Sequence, residues 1–142
     1  IWQVLTTTQA VRRHTYLFLT KNPARLREFN PWPNNTYVGA SAVDNRTFVE
    51  AHRTLIYVEA KVRWLSIEPL MGRLEYPLYP LHVPLSECAD WIVIGGYSGR
   101  SRYQPKREWV EEIVEAADRA GIPVWLKNNL VGIMPTLRQE LP

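Results

Sequence analysis

Apolar residues in this chain fall into short runs separated by polar, helix-patterned stretches. Five runs are rich in β-branched and aromatic residues: 15–20, 36–41, 62–67, 90–95 and 123–127. Several are apolar on both faces, as parallel strands covered by helices are. Helical patterns fill most of the intervals. Asn22-Pro23 supplies an N-cap and a proline at the first helical position, with Leu26 and Phe29 on the apolar side. Asp44 caps a segment whose Phe48, Ala51, Leu55 and Val58 share one stripe. Pro105 opens the most regular helix, with Trp109, Val110, Ile113, Val114 and Ala117 inward and Gly121 as its stop. Residues 1–13 read as one more helix of weaker periodicity. The interval 69–87 breaks the alternation. Pro77, Pro80 and Pro84 stand there among aromatic and aliphatic residues, which predicts an irregular excursion.

Strand and helix alternating at this spacing predict repeated right-handed βα units, hence an α/β fold with a parallel sheet of about five strands. Residues 1–142 then form a single domain. Five strands cannot close an eight-stranded barrel. The expected sheet is therefore open. Its edge near Thr15 is either exposed or covered by a partner, through a further barrel segment or self-association.

Composition narrows the picture. Of 142 residues, 46% are hydrophobic and 22% charged, which is globular rather than disordered. Seventeen Lys and Arg against fourteen Asp and Glu leave a net charge of +3, which permits an anionic partner without requiring one. Cys88 is the one cysteine, which excludes a disulfide framework or a cysteine metal site built by this chain alone and points to a reducing, cytoplasmic setting. No apolar run is long enough to span a membrane, and no signal peptide is visible. The sequence starts at Ile1 without Met, as a fragment or a processed product would.

In parallel α/β folds ligands bind at the carboxyl ends of strands. Here those ends read Thr20-Lys21-Asn22, Gly39-Ala40-Ser41, Ser66-Ile67-Glu68-Pro69, Gly95-Gly96-Tyr97-Ser98-Gly99 and Lys127-Asn128-Asn129. Each carries a small or polar group. Gly95-Gly96 allows close approach of a ligand, exposes N–H groups to an anion, or simply makes a tight turn. It lacks the Gly-Lys-Ser/Thr of a P-loop and the spacing of a dinucleotide fingerprint. Lys21 and Lys127 suit a carboxylate or phosphate, or are surface lysines with solvated heads. Glu68 suits a ribose, an amine or an internal lysine. Arg100, Arg102, Lys106 and Arg107, with Tyr103 between them, form a basic loop that is either a nucleic-acid contact or a solvated turn. His14, His52 and His82 have no metal-ligand spacing.

Five segments also occur together in a specific order: Leu19-Thr-Lys-Asn-Pro23, Val38-Gly-Ala-Ser41, Leu65-Ser-Ile-Glu-Pro-Leu-Met-Gly72, Asp90-Trp-Ile-Val-Ile-Gly-Gly-Tyr-Ser-Gly99 and Gly121-Ile-Pro-Val-Trp-Leu-Lys127. From Ile1 to about Asn129 the chain resembles a phage-associated family of uncharacterised proteins with radical-SAM-like (βα) barrels. The resemblance implies the carboxyl-terminal part of a TIM-like barrel. It implies a cysteine cluster holding iron and sulfur in a segment before Ile1, with S-adenosylmethionine as cofactor of the intact protein. No cofactor is expected on this chain alone. Lys21, Ser41, Glu68, Gly95, Gly96, Ser98 and Lys127 match the family's pattern and become cofactor-pocket candidates. Tyr97 and Val43 stand where the family usually has carboxylates.

Three readings follow. The first is the carboxyl-terminal part of a radical-SAM-like enzyme of unestablished reaction, with a small-molecule pocket at the strand ends. The second is a phage nucleic-acid module using Arg100, Arg102, Lys106 and Arg107. The third is a degenerate barrel serving as a scaffold.

Overall fold

The computed structural model describes residues 1–75, 84–99 and 103–142. A short helix α1 (Trp2–Ala10) leads into strand β1 (Tyr16–Thr20), and β2 (Thr36–Ala42), α2 (Asn45–Leu55), β3 (Val62–Ile67), β4 (Trp91–Ile94), α3 (Arg107–Ala120) and β5 (Val124–Leu126) follow. The five strands pair in parallel in the order of the sequence, β1-β2-β3-β4-β5.

That order decides the architecture. A doubly wound sheet reverses direction partway and places helices on both faces. Here the order never reverses, and α1, α2 and α3 bury Leu5, Phe48, Ala51, Leu55, Val110 and Ile113 in one cluster with Val38, Ala40, Leu65, Ile67, Ile92 and Ile94. The helices therefore lie on one face, the winding of a partial βα barrel. A separate cluster of Val62, Trp64, Trp91 and Val93, with Tyr37 and Trp125 against it, lies on the other face. The odd–even alternation of strand residues makes the split. Fully burying one of these aliphatic side chains stabilises by about 1.5–3 kcal/mol.

Helix boundaries follow local chemistry. Asp44 caps α2: its carboxylate accepts from the Thr47 N–H at 2.8 Å, while the Thr47 hydroxyl oxygen accepts from the Asp44 N–H at 3.1 Å. The Thr47 hydroxyl also donates to the Asp44 carboxylate at 2.6 Å, and this bond first, then the Thr47 N–H, holds the Asp44 carboxyl below its ordinary pKa. Gly121 ends α3 at φ +68°, the left-handed conformation that glycine takes at least cost. Two expected boundaries shift. The helix opened by Asn22-Pro23 is a 3₁₀ segment, Pro23–Phe29, and the Asn22 side chain does not cap it. The Thr20 hydroxyl accepts the Asn22 N–H instead, at 3.0 Å. A three-residue turn is what brings Leu26 and Phe29 to the same side. Pro105 precedes α3 rather than starting it, and Lys106 occupies the cap position.

Between β3 and β4 the described part of the excursion 69–87 contains only a 3₁₀ turn, Leu85–Glu87. Its first stretch is tied down by Leu70 N–H to Gly95 O at 3.0 Å and Met71 N–H to Val43 O at 2.8 Å. Pro77 and Pro80 lie outside the described residues. At the amino edge of the sheet, Arg63 clamps β3 to the start of β4 through its guanidinium and the Asp90 carboxylate at 3.1 Å. No helix of the described residues is long and apolar enough to cross a membrane.

Candidate functional site

The Arg63–Asp90 pair lies at the amino edge, and the candidate residues lie at the other edge. Parallel pairing brings all five strand ends to one rim. Ser41 of β2 sits opposite Ser66 of β3, and both belong to the face away from the helices. Two residues on, Glu68 projects on that face. One residue past β5, Lys127 meets it: Nζ lies 2.7 Å from Glu68 Oε1 and 2.8 Å from Oε2. The side chains of Lys127 and Glu68 remain 42% and 23% exposed. An ion pair with this much solvent contributes about 0–1 kcal/mol.

Gly95 gives Glu68 its room. A Cβ on Gly95 would stand 2.9 Å from both Cδ and Oε1 of Glu68. The backbone of Gly95 is fully used, its N–H donating to Ile67 O and its carbonyl accepting from Leu70 N–H, each at 3.0 Å. Gly96 is used as well. Its N–H donates to Asn129 Oδ1 at 3.0 Å, and the Asn129 amide returns a hydrogen bond to Gly96 O at 2.8 Å. A second Asn129 hydrogen bond, 2.9 Å long, reaches the Ser98 hydroxyl. Of the three readings of Gly95-Gly96, anion capture by free N–H groups finds no free N–H here. Close approach describes Gly95, where the group that approaches is the carboxylate of Glu68.

Below the rim, the face away from the helices is paved with indoles. Trp64 and Trp91 are register partners on β3 and β4, with ring centroids 5.5 Å apart. Trp91 and Trp125 follow edge to face at 6.5 Å. Gly39 lies under Trp64, and a Cβ there would reach within 2.5 Å of the ring. These groups line an open depression of about 280 Å³, bounded by Leu19, Ser66, Glu68, Lys127 and Leu141. The Trp64 Nε1 is buried without a hydrogen-bond partner among the described residues.

The sequence-derived candidates divide. Glu68, Lys127, Gly95, Gly96 and Ser98 gather at the ends of β3, β4 and β5, and Ser41 lies on the same face. Lys21 ends β1, at the far edge of the sheet, and is exposed. The indole floor is absent from the candidates: Trp64, Trp91 and Trp125 each occupy the phase opposite to Leu65, Ile92 and Leu126, but both phases are apolar and alternation alone does not tell the two faces apart. Of the basic loop, Arg100 and Arg102 lie outside the described residues. Lys106 stacks over Trp109 at 5.4 Å from the ring centre, and Arg107 pairs with Glu111 at 2.6 Å.

An iron–sulfur cluster does not fit the described residues, among which no three His, Cys, Asp or Glu side chains converge. Cys88 is buried before β4, at the opposite edge of the sheet, and donates to Leu85 O at 3.2 Å. Burial pushes its pKa up to about 12, against the thiolate that a metal requires.

Comparison with curated proteins and with solved structures returns no match. A family model, described as a protein of unknown function (DUF5131), matches residues 1–132, which cover both the sheet and the rim. By that match the chain belongs to the family DUF5131.

Proposed function

We propose that this chain is the carboxyl-terminal part of a radical-SAM-like barrel protein of phage or bacterial origin, and that its ligand pocket is the indole-floored depression under Glu68 and Lys127. The observation that carries the reading is this ion pair standing at the carboxyl rim of an aromatic floor. Trp64 and Trp91 are buried, which leaves the half-buried Trp125 as the indole to take a planar ring, at about 1–3 kcal/mol for a stacked base. Lys127 offers an ammonium to a carboxylate or phosphate, and Glu68 offers a carboxylate to an amine or a ribose hydroxyl. A ligand that brings a planar ring and a zwitterionic head replaces the internal pair by two external ones. Because the pair is solvated and weak, opening it costs about 1 kcal/mol or less.

S-adenosylmethionine has this chemistry and is the first probe. When bound, it would supply a sulfonium centre for transfer or cleavage. The residues of this chain would hold the head group at Lys127 and Glu68, and Ser41 and Ser66 would hydrogen-bond beside them. Residues for a cluster would belong to a segment before Ile1. The nucleic-acid reading has less behind it, because Lys106 and Arg107 are its only residues among the described ones and both stand at the exposed start of α3 beside Trp109 and Glu111.

Titration calorimetry with S-adenosylmethionine tests the proposal. Saturable binding is expected, weakened at least tenfold by Glu68→Gln and by Lys127→Met. Binding that ignores both substitutions, or no binding by the intact gene product, refutes it. Iron and acid-labile sulfide per chain, measured on the intact product purified anaerobically, test the cluster.

A further inference from the structure

β5 is the last strand of the sheet, yet its outer edge is fully paired. The chain turns back beyond it, and Trp125 forms an antiparallel bridge with Gln139. The outward groups of β5 belong to Val124 and Leu126. Leu126 N–H donates to Arg138 O at 2.7 Å, and Val124 O accepts from Glu140 N–H at 3.1 Å. Val124 N–H goes to the Glu140 carboxylate at 2.9 Å, and Leu126 O accepts from the Gln139 side-chain amide at 3.2 Å. At the other end of the sheet, no described strand pairs with the outer edge of β1.

Glu140 is the hub of this strap. Its carboxylate also accepts two hydrogen bonds from the Arg138 guanidinium, at 3.1 and 2.9 Å. Its carbonyl accepts the indole N–H of Trp91 at 2.9 Å, which fixes one ring of the aromatic floor. Arg138 reaches Asp118 of α3 at 2.7 Å, so the strap is anchored to the helix layer too. Leu141 then lies at the border of the depression, beside Trp125 and Lys127. The strap falls outside the residues that the family model matches.

We propose that residues 138–142 act as a sixth, antiparallel strand that seals β5 against pairing with a second copy of this chain and forms the outer wall of the ligand depression. An edge with free N–H and C=O groups is a template for another strand, and four satisfied groups remove it. The wall half rests on the ligand-site reading of the depression; the seal half does not.

Hydrogen exchange and sedimentation test the seal on the full chain and on a chain ending at Leu137. Shortening is expected to speed exchange at the Val124 and Leu126 amides at least tenfold and to raise the weight-average mass with concentration. Unchanged protection and unchanged mass overturn the seal. Should the shortened chain fail to fold, Glu140→Ala decides. It is expected to speed exchange at Val124 about tenfold while Leu126, whose acceptor is the Arg138 main chain, stays slow. Equal rates in wild type and variant overturn the latch. Leu141→Asp tests the wall, with S-adenosylmethionine as probe. Affinity is expected to fall at least fivefold with amide protection intact, and unchanged affinity overturns the wall. The probe is measured on the intact gene product, and a wild-type product that does not bind it refutes the ligand-site reading and the wall with it, leaving the seal to stand or fall on exchange.

Discussion

Replacing Gly95 by Ala should change the sign of its effect when Glu68 is removed. In the native chain the added Cβ would stand 2.9 Å from Glu68 Cδ and Oε1. That is well inside contact distance, so the carboxylate must leave its place over β4 or the strand must shift. The atoms met are the far end of a flexible, part-exposed side chain, so the net cost is about 1 kcal/mol, near the upper worth of its ion pair. With an unfolding entropy near 2.1 cal/mol/K per residue, a domain of this length loses roughly 3–4 °C of Tm for that cost. Gly95 has no positive φ, so alanine fits its backbone once the carboxylate is gone. In a Glu68→Ala background the same change should then stabilise by about 0.4–1 kcal/mol, through the lower entropy of the unfolded chain. Chemical denaturation of the four chains of a double-mutant cycle measures the coupling, expected at about 1.5–2 kcal/mol. Additive effects, within about 0.5 kcal/mol, would refute the claim that glycine is there to seat this carboxylate.

Acid should loosen the C-terminal strap. Hydrogen bonds from Arg138, then from the Val124 N–H, hold the Glu140 carboxyl below its ordinary value of 4.5. A depressed folded pKa contributes stability that is full above about 4.5 and is lost as pH falls through the lower folded value. Exchange at Val124 measured from neutral to acid pH should rise across that window, and Glu140→Gln should flatten the rise. Cys88 should resist a thiol reagent in the native chain and react at once in denaturant. Its raised pKa also means that stability is lost as pH climbs above the ordinary thiol value of 9.0, which denaturation of Cys88→Ala against wild type checks. Asp44→Ala should cost about 1 kcal/mol and Asp44→Asn much less, read by thermal denaturation.

The strands were legible because each is a compact apolar block bounded by polar or small residues, and all five lie where those blocks do. The helix caps at Asp44 and Gly121 were legible because both are local chemistry. What alternation could not convey was which face of each strand would meet helices. Trp91 and Ile92 are equally apolar, and only the common side of every crossover separates them. The Glu68–Lys127 pair joins residues 59 positions apart, and the sequence offered it only as one of several fates for Glu68. The strap was illegible for a different reason. Arg138-Gln139-Glu140 is polar throughout, and its strand character comes from the edge it covers rather than from its own propensity.

The consecutive order of the strands has a consequence for how the molecule is assembled. Among the described strands β1 to β5, each pairs with the strands next to it in chain order, so the sheet is nearly one-dimensional, in the manner of a repeat protein. A βα unit emerging from the ribosome can dock on the one made just before it, without waiting for a distant partner. Loss of the first strand would leave four strands still in register. Loss of β3, in contrast, would sever the sheet into two pairs, neither wide enough to hold a core. Damage tolerance should therefore fall steeply from the ends of the sequence toward its middle.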